Sequence, residues 1–206
     1  MTRFPAAPTA EGIREALGDI VDREGGAPAG WESRMADFLG LLIRRNAAVN
    51  LISRRTAAEV VDRQVLPSLA VLKLIPPEEP LRLLDIGTGG GFPGIPVRIL
   101  RPQVRIDLVE ATRNKCRFLE ECLAQQGWEE ARVHWCRVEA PTEDLTARAP
   151  FDLAVARAVG DDERIARSAT PLLRSGGGCW AFAPPAEGDP FHDAAGTPVT
   201  ALRRID

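Results

Sequence analysis

Side chains that carry metal and nucleophilic chemistry are scarce in this sequence. Its 206 residues include two His and four Cys, and no two cysteines have the C-x-x-C spacing typical of a zinc site. The cysteine pattern also does not match a disulfide scaffold, so reduced thiols are expected. With two His in the chain, a His-based triad and a His metal cluster are both disfavoured. The sequence therefore predicts no metal site.

Long hydrophobic runs are also missing. No uncharged apolar stretch approaches the ~18 residues that a membrane span requires, and the first residues, MTRFPAAPTAEG, lack the apolar segment of a signal peptide. We therefore expect a cytoplasmic protein without a membrane partner.

The formal net charge of −3 excludes a generally basic nucleic-acid coat protein. A local basic patch is still compatible with the sequence, because basic residues outnumber acidic ones within 31–75 and 98–117.

The composition is that of a globular domain. Hydrophobic residues make up 45% and charged residues 27% of the chain, as in ordinary soluble folded proteins. Apolar residues recur with helical spacing within 13–21, 31–42 and 56–75, and prolines follow. These patterns predict an N-terminal helical cap over residues 1–77. Pro67, inside the third stretch, is expected to kink that helix or to start a new one.

From residue 78 the pattern changes to alternating strands and helices. Strand-length apolar runs occur at 81–86, 104–109, 131–135, 151–156 and 178–183, and helical stretches at 93–100, 112–126 and 160–173. Such alternation predicts an α/β fold whose parallel strands are joined by right-handed crossovers into a doubly wound, mainly parallel sheet over 78–206. The Pro- and Gly-rich tail is expected to hold one short strand around 197–203.

A glycine-rich turn between the first predicted strand and helix carries the clearest chemical signal. Asp85, Gly87, Gly89 and Gly91 fill the pattern D-x-G-x-G-x-G without exception. This pattern is the first motif of class I methyltransferases, which bind S-adenosylmethionine. A side chain at Gly87 or Gly89 would block the close approach of a ligand. We therefore predict a Rossmann-like class I methyltransferase whose cofactor is S-adenosylmethionine.

A dinucleotide-binding turn, G-x-G-x-x-G, is the alternative for the same segment. Counted from Gly87, the third glycine is replaced by Phe92; counted from Gly89, the pattern reaches Gly94 but begins two residues deeper. An NAD(P)-dependent oxidoreductase thus stays open as the less favoured class, although no hydride-transfer site is found. Glu110 ends the second predicted strand, where one carboxylate can accept hydrogen bonds from both hydroxyls of a ribose.

Two longer stretches make the interpretation more specific. LLDIGTGGGFPGIPVRILRP, followed by LVEATRNKCRFLEE, resembles the bacterial 16S ribosomal RNA (guanine-N7) methyltransferases, the small-subunit methyltransferase G family formerly called glucose-inhibited division protein B. Further matches are Asn50-Leu51, Arg137-Val138-Glu139, and Phe151-Asp152 leading to Arg157-Ala158. The resemblance covers about residues 35–180.

The resemblance implies a role for each matching residue. Gly87 and Phe92 would line the cofactor pocket, Val138 and Glu139 would lie at the adenine, and Arg157 would contact the cofactor. With the turn and the ribose acceptor, the predicted cofactor site comprises Asp85, Gly87, Gly89, Phe92, Glu110, Val138, Glu139 and Arg157. Basic candidates for RNA phosphates are Arg54 and Arg55 in the cap and, favoured by the family match, Lys115 and Arg117. Such contacts position RNA and do not select a base.

The resemblance implies methylation of guanine N7 in 16S ribosomal RNA, with the RNA or the small ribosomal subunit as partner. Guanine N7 has an unprotonated lone pair at neutral pH, so no catalytic general base is expected. The chain also lacks an Asn/Asp-Pro-Pro-aromatic motif for exocyclic amines and a Pro-Cys nucleophile for pyrimidines. Rate acceleration would then come mainly from alignment of the reacting groups. A monomer is expected.

Several positions depart from the family pattern. Gln64 and Pro67 stand where members commonly have His and Asp, Cys116 replaces an Arg, and Ala183-Pro184-Pro185 replaces a segment that normally carries a Lys. The C-terminal region also looks short, so its antiparallel strands are expected to be reduced or absent. A diverged or non-catalytic, ribosome-associated protein that binds S-adenosylmethionine is therefore the second interpretation.

Overall fold

The N-terminal helices form where the apolar spacing predicts them. The computed structural model describes residues 5–157 and 160–205. Helix α1 spans Ala10–Arg23. Thr9 caps its N-terminus, and its side chain accepts a hydrogen bond from the N–H of Gly12 (3.1 Å). Helix α2 spans Trp31–Val49. Across the described ranges, no helix combines enough length with enough hydrophobicity to cross a bilayer.

A broken helical segment connects α2 to the sheet. It consists of α3 (Arg54–Ala58), a π-helical turn (Val61–Val65), α4 (Leu66–Ser68) and a 3-10 turn (Leu69–Leu74). Pro67 lies in the first turn of α4, directly after the π-helical turn. Because proline has no N–H and its ring clashes with the preceding helical turn, the geometry changes at this point. Pro67 thus stands at the start of a new helical segment, which is one of the two outcomes predicted for it.

Within the described residues, seven strands form one sheet. They are β1 (Leu81–Ile86), β2 (Val104–Glu110), β3 (Arg132–Trp135), β4 (Phe151–Ala156), β5 (Leu173–Ala183), β6 (Asp189–His192) and β7 (Pro198–Ile205). Their order is β3-β2-β1-β4-β5-β7-β6, with β1 to β5 parallel and β7 antiparallel to both β5 and β6. The later helices are α5 (Gly94–Leu100), α6 (Arg113–Gln126), α7 (Glu143–Arg148) and α8 (Asp162–Ala169). The predicted doubly wound, mainly parallel sheet is confirmed.

The C-terminal region contains one strand more than the sequence predicted. The strand expected around 197–203 is confirmed as the eight-residue β7, whereas β6, which pairs with it, was missed. The antiparallel strands, expected to be reduced or absent, are therefore present. The four residues of β6 include Pro190, and so short a segment shows no periodicity that a sequence pattern could reveal. The six-residue α7 was missed for the same reason. Ala158, part of the family match, lies outside the described residues.

Two hydrophobic clusters sandwich the sheet. One face carries Leu83 and packs against α1, α2, α5 and α6, and the other carries Leu84 and packs against α7 and α8. Neighbouring residues of β1 point to opposite faces, as the strand period requires. Because the N-terminal helices share the first cluster with the sheet, they have no core of their own. The boundary between 1–77 and 78–206 stays a prediction.

Candidate cofactor and substrate site

Asp85 at the end of β1 closes the glycine-rich turn. Its Oδ2 accepts hydrogen bonds from the Thr88 hydroxyl (2.7 Å) and from the N–H of Gly94 (2.8 Å). The three glycines of the motif have φ angles between 57° and 93°, which residues with a side chain rarely adopt. The motif glycines therefore occupy positions where the backbone itself requires them.

The Asp85 carboxyl is fully buried, and this changes its ionisation. Burial raises its pKa to about 6, although the hydrogen bonds from Thr88 and Gly94 oppose the shift. The second oxygen, Oδ1, has no hydrogen-bond partner within the described residues. Asp85 thus shapes the turn and keeps one unsatisfied acceptor.

Glu110 lies beside this turn at the end of β2. Its Oε2 accepts from the N–H of Gly89 (3.1 Å), and its Oε1 accepts from the N–H of Thr112 (2.7 Å). Each carboxylate oxygen can accept two hydrogen bonds, so both retain capacity for a ligand hydroxyl. The thiol of Cys116 in α6 donates a hydrogen bond to the Glu110 carbonyl (3.3 Å). Burial raises the pKa of this thiol to about 11, so it stays protonated. The structure thus brings together Gly89 and Glu110, two residues of the predicted cofactor site.

A cavity of about 200 Å³ opens at the carboxyl ends of β1, β2 and β3. Gly87, Val138 and Glu139 of the predicted site all line it. Buried Val138 supplies apolar surface, and the Glu139 carboxylate pairs with Arg164 of α8 (Oε1 to Nε, 3.1 Å). Arg164 also lines the cavity, and sequence reasoning missed it because an Arg on an amphipathic helix resembles any solvent-facing cation. An apolar slot with a carboxylate at its rim has the chemistry to hold an adenine ring.

Phe92 is absent from the lining of this cavity. Its ring is buried against Phe38 of α2, with ring centroids 5.3 Å apart at 54°. Its N–H donates to the carbonyl of Thr88 (3.0 Å). Phe92 therefore anchors the glycine-rich turn to the N-terminal helices, and its predicted cofactor contact has no counterpart in this lining.

Arg157, directly after β4, lines a second and larger cavity of about 580 Å³. Its Nη2 donates to the carbonyl of Arg63 (2.7 Å), and its Nη1 donates to that of Gln64 (3.3 Å). Pro67 has no N–H to offer the Arg63 carbonyl four residues earlier, so the guanidinium satisfies an acceptor that the proline leaves open. Arg157 links the broken helical segment to the carboxyl edge of the sheet.

Three departures from the family pattern meet at this second cavity. Gln64, Pro67 and Ala183 line it together with Arg157. The fourth, Cys116, lies elsewhere, against Glu110. Residues more than a hundred positions apart thus form one altered surface. Only the packing of the helical segment against the sheet brings them together.

The predicted RNA-binding residues lie on two segments that flank the cavities. Lys115 and Arg117 are in the first turns of α6, which begins just after Glu110; Lys115 is half-buried and Arg117 is exposed. Arg54 and Arg55 are exposed on α3, whose Thr56 lines the second cavity. Both pairs are therefore near the edge at which the parallel strands end.

A buried ionic cluster, which the sequence did not reveal, joins β2 and β3. Asp107 Oδ1 lies 2.7 Å from His134 Nε2, and Arg148 donates from Nη2 to Asp107 Oδ2 (3.0 Å). Burial by itself would raise the pKa of Asp107, but these two partners outweigh it and hold that pKa below its ordinary value. Among residues 5–157 and 160–205, no three His, Cys, Asp or Glu side chains are arranged to hold a metal ion.

Known proteins resemble this chain in sequence and in fold. The family model for GidB, rRNA small subunit methyltransferase G, matches residues 32–183. The ribosomal RNA small subunit methyltransferase G of Pelotomaculum thermopropionicum is 39% identical over 141 residues, 68% of this chain and 59% of that protein. Its counterpart from Deinococcus radiodurans is 35% identical over 174 residues, 84% of this chain and 68% of that protein.

The chain thus spans about three fifths of the length of the first of these curated relatives. A solved structure, StiE O-MT residues 961–1257, superimposes with a TM-score of 0.53 at 12% identity, covering 68% of this chain and 50% of that one. This likeness supports the fold alone.

Proposed function

The chain belongs to the rRNA small subunit methyltransferase G family, and from this premise we propose that it transfers a methyl group from S-adenosylmethionine to N7 of a guanine in 16S ribosomal RNA. The observation that carries the proposal is the pairing of Glu110 with the N–H of Gly89 (3.1 Å) beside a cavity lined by Gly87 and Val138. This arrangement lies at the carboxyl edge of the sheet, where open α/β folds bind their ligands.

Each part of the cofactor has a matching group in this proposal. Val138 and Glu139 hold the adenine, with the carboxylate accepting from its amino group. Glu110 accepts from the ribose hydroxyls, because the backbone N–H groups of Gly89 and Thr112 already hold its carboxylate in place. The left-handed glycines let the methionine portion pass close to the backbone.

The second cavity receives the acceptor base. Its volume of about 580 Å³ has room for a purine, and Phe182 and Val199 supply apolar surface. S-Adenosylmethionine supplies an electrophilic methyl group on a sulfonium. Because guanine N7 attacks with a free lone pair and has no proton to lose, the chain needs no general base. Its residues contribute by holding the two reactants in line and by limiting the access of water.

Basic side chains on either side of the cavities bind the RNA backbone. Lys115 and Arg117 on α6 and Arg54 and Arg55 on α3 neutralise phosphates of 16S ribosomal RNA or of the small ribosomal subunit. Affinity for RNA then falls as the salt concentration rises, because bound counterions are released.

Titration calorimetry with S-adenosylmethionine and, separately, with NAD tests the cofactor class. We expect saturable binding of S-adenosylmethionine alone. Naked 16S ribosomal RNA and small subunits that lack the modification are then incubated with protein and cofactor, and N7-methylguanine is mapped by borohydride and aniline cleavage. Cleavage at one guanine is the expected result. Binding of NAD alone would contradict the proposal.

A second candidate function is cofactor binding without methyl transfer. It is favoured by one observation: Gln64, Pro67 and Ala183 all depart from the family pattern at the cavity assigned to the acceptor base. Binding of S-adenosylmethionine without any methylated guanine in either RNA substrate would support this alternative.

Arg157→Ala is expected to weaken S-adenosylmethionine binding about tenfold, which corresponds to about 1.4 kcal/mol. The substitution removes a half-buried cation whose charge acts on Asp85 inside the turn, and it releases the Arg63 and Gln64 carbonyls. Calorimetry on the folded variant measures the change. Arg174→Ala is the control, because Arg174 forms an exposed ion pair with Asp152 at the opposite edge of the sheet (2.7 Å). Equal affinities of the two variants for S-adenosylmethionine would refute the cofactor role that the resemblance implies for Arg157.

A further inference from the structure

Trp135, the last residue of β3, is the one large hydrophobic side chain exposed to solvent within the described ranges, with 55% of its surface accessible. An exposed indole ring gains free energy when a partner covers it, because apolar surface is then removed from water. Neither the cofactor cavity nor the second cavity includes Trp135 in its lining. The proposed function therefore leaves this residue unexplained.

The ring is held in place by two interactions. Its Nε1–H donates to the carbonyl of Ala111 (3.0 Å), and the Arg113 guanidinium carbon lies 5.1 Å from the ring centroid. A cation over an aromatic face is attracted to the ring quadrupole. The indole and the guanidinium thus form a preorganised stacked pair, which we call the Trp135–Arg113 platform.

The platform lies next to the cofactor cavity and within a basic surface. Ala111, which accepts the indole hydrogen bond, and Arg137, two residues after Trp135, both line that cavity. Arg113 begins α6, and Arg117, one helical turn later, is exposed. A flat aromatic ring with cations around it complements a nucleobase attached to a phosphate backbone.

We propose that the Trp135–Arg113 platform stacks an unpaired base of the RNA substrate, a nucleotide other than the methylated guanine. The inference rests on the proposed function, because it assumes an RNA substrate. Stacking accepts any base, so the platform adds affinity for single-stranded RNA without selecting a sequence. It also restricts substrates, because a base inside a duplex cannot offer its face to the ring. The platform therefore favours a looped segment over a helix.

The test compares Trp135→Ala, Trp135→Phe and Arg113→Ala with Arg174→Ala, which removes a cation from the opposite edge. The probes are a fluorescein-labelled single-stranded RNA dodecamer and the duplex of the same sequence, and anisotropy gives the dissociation constants. Trp135→Ala is expected to weaken single-strand binding by about fivefold or more, in line with alanine substitutions of other stacking residues. Trp135→Phe should retain most of the affinity, and Arg113→Ala should lose more of it than Arg174→Ala.

Two controls separate this inference from the function on which it rests. Each variant is titrated with S-adenosylmethionine, whose affinity should stay within twofold of the parent protein. Single-stranded RNA should quench the tryptophan fluorescence of the parent protein, and it should quench that of Trp135→Phe less, although RNA still binds to this variant. Equal RNA affinities of Trp135→Ala and Arg174→Ala would contradict the stacking role of the Trp135–Arg113 platform. If these variants still bind S-adenosylmethionine normally, that result would not contradict the proposed function. Loss of cofactor affinity in Trp135→Ala would instead assign the ring to the cofactor site.

Discussion

Gly94→Ala is expected to lower the free energy of unfolding by about 3 kcal/mol, the upper end of the cost of overpacking a rigid site. A Cβ at this position would lie 2.6 Å from Leu108 Cδ2 and 2.8 Å from Asp85 Oδ2. Both distances are far below van der Waals contact. Relief of the clash also pulls the Gly94 N–H away from Asp85, which leaves that buried carboxyl with one hydrogen bond fewer.

Gly94→Ala should also lower the rate of methyl transfer. The turn closed by Gly94 also positions Gly89 against Glu110, and a displacement of about 1 Å can reduce the rate of a positioned reaction a hundredfold. Urea denaturation and the methylation assay on small subunits measure the two effects. The matched control is Gly12→Ala in α1, where the nearest atom to the new Cβ is Thr9 Oγ1 at 3.4 Å. That variant should gain about 0.5 kcal/mol from the helix preference of alanine. Similar stabilities for the two variants would contradict the packing argument.

Asp85→Asn is expected to raise the free energy of unfolding at pH 8 by up to about 3 kcal/mol. In the folded protein the pKa of Asp85 is raised to about 6 from its ordinary value of 3.8, mainly by burial. The folded state therefore binds a proton more tightly than the unfolded chain, and ionisation of Asp85 above pH 6 destabilises the fold. Asparagine keeps an acceptor for Thr88 and Gly94 but carries no charge.

The pH dependence of the Asp85→Asn effect is the sharper observable. Ionised Asp85 destabilises the folded parent protein fully above the folded-state pKa and not at all well below the unfolded-state pKa. The difference in free energy of unfolding between the variant and the parent should therefore shrink by about 2 kcal/mol between pH 8 and pH 4.5. If the amide N–H groups of the introduced asparagine lack partners, the variant loses the same stability at both pH values. The change in its relative stability between pH 8 and pH 4.5 is therefore unaffected. Urea titrations of the cofactor-free protein measure it. A pH-independent difference would show that Asp85 does not titrate in this way.

Asp107→Asn is the matched control, because Asp107 is a buried carboxylate whose pKa is shifted in the opposite direction. Its ionised form is stabilised by His134 and Arg148 in the folded state. That contribution is complete above the unfolded pKa and is lost as the pH falls through the lower, folded pKa. Asp107→Asn should therefore be destabilising at pH 8, and its deficit should diminish only under more acidic conditions than those that affect Asp85.

The predicted elements were accurate where the local pattern was long and periodic. The runs at 81–86 and 151–156 coincide with β1 and β4, and the helical stretch at 112–126 differs from α6 by one residue. The elements missed altogether are short, since α7 and β6 have six and four residues. Their formation depends on partners elsewhere in the chain, since β6 is held by pairing with β7. The start of β5 was also predicted five residues late, at 178 instead of Leu173.

The residues of the candidate site also differ in how far the sequence could predict them. Asp85, Gly87, Gly89 and Glu110 could be located from the sequence, because a turn between a strand and a helix imposes local requirements that only certain residues meet. Family likeness then supplied Val138 and Glu139, which meet at the cavity beside Gly87.

Other features were decided by the tertiary structure alone. The burial of Phe92 against Phe38, the hydrogen bond from Arg157 to the Arg63 carbonyl, and the exposed ring of Trp135 all depend on contacts between distant segments. A sequence pattern reports the environment of a residue along its own helix or strand, whereas the packing of one element on another determines which side chains face a ligand, the core or the solvent. The sequence by itself thus determined the class of fold and the glycine-rich turn, and the packing determined how the surfaces around that turn are divided.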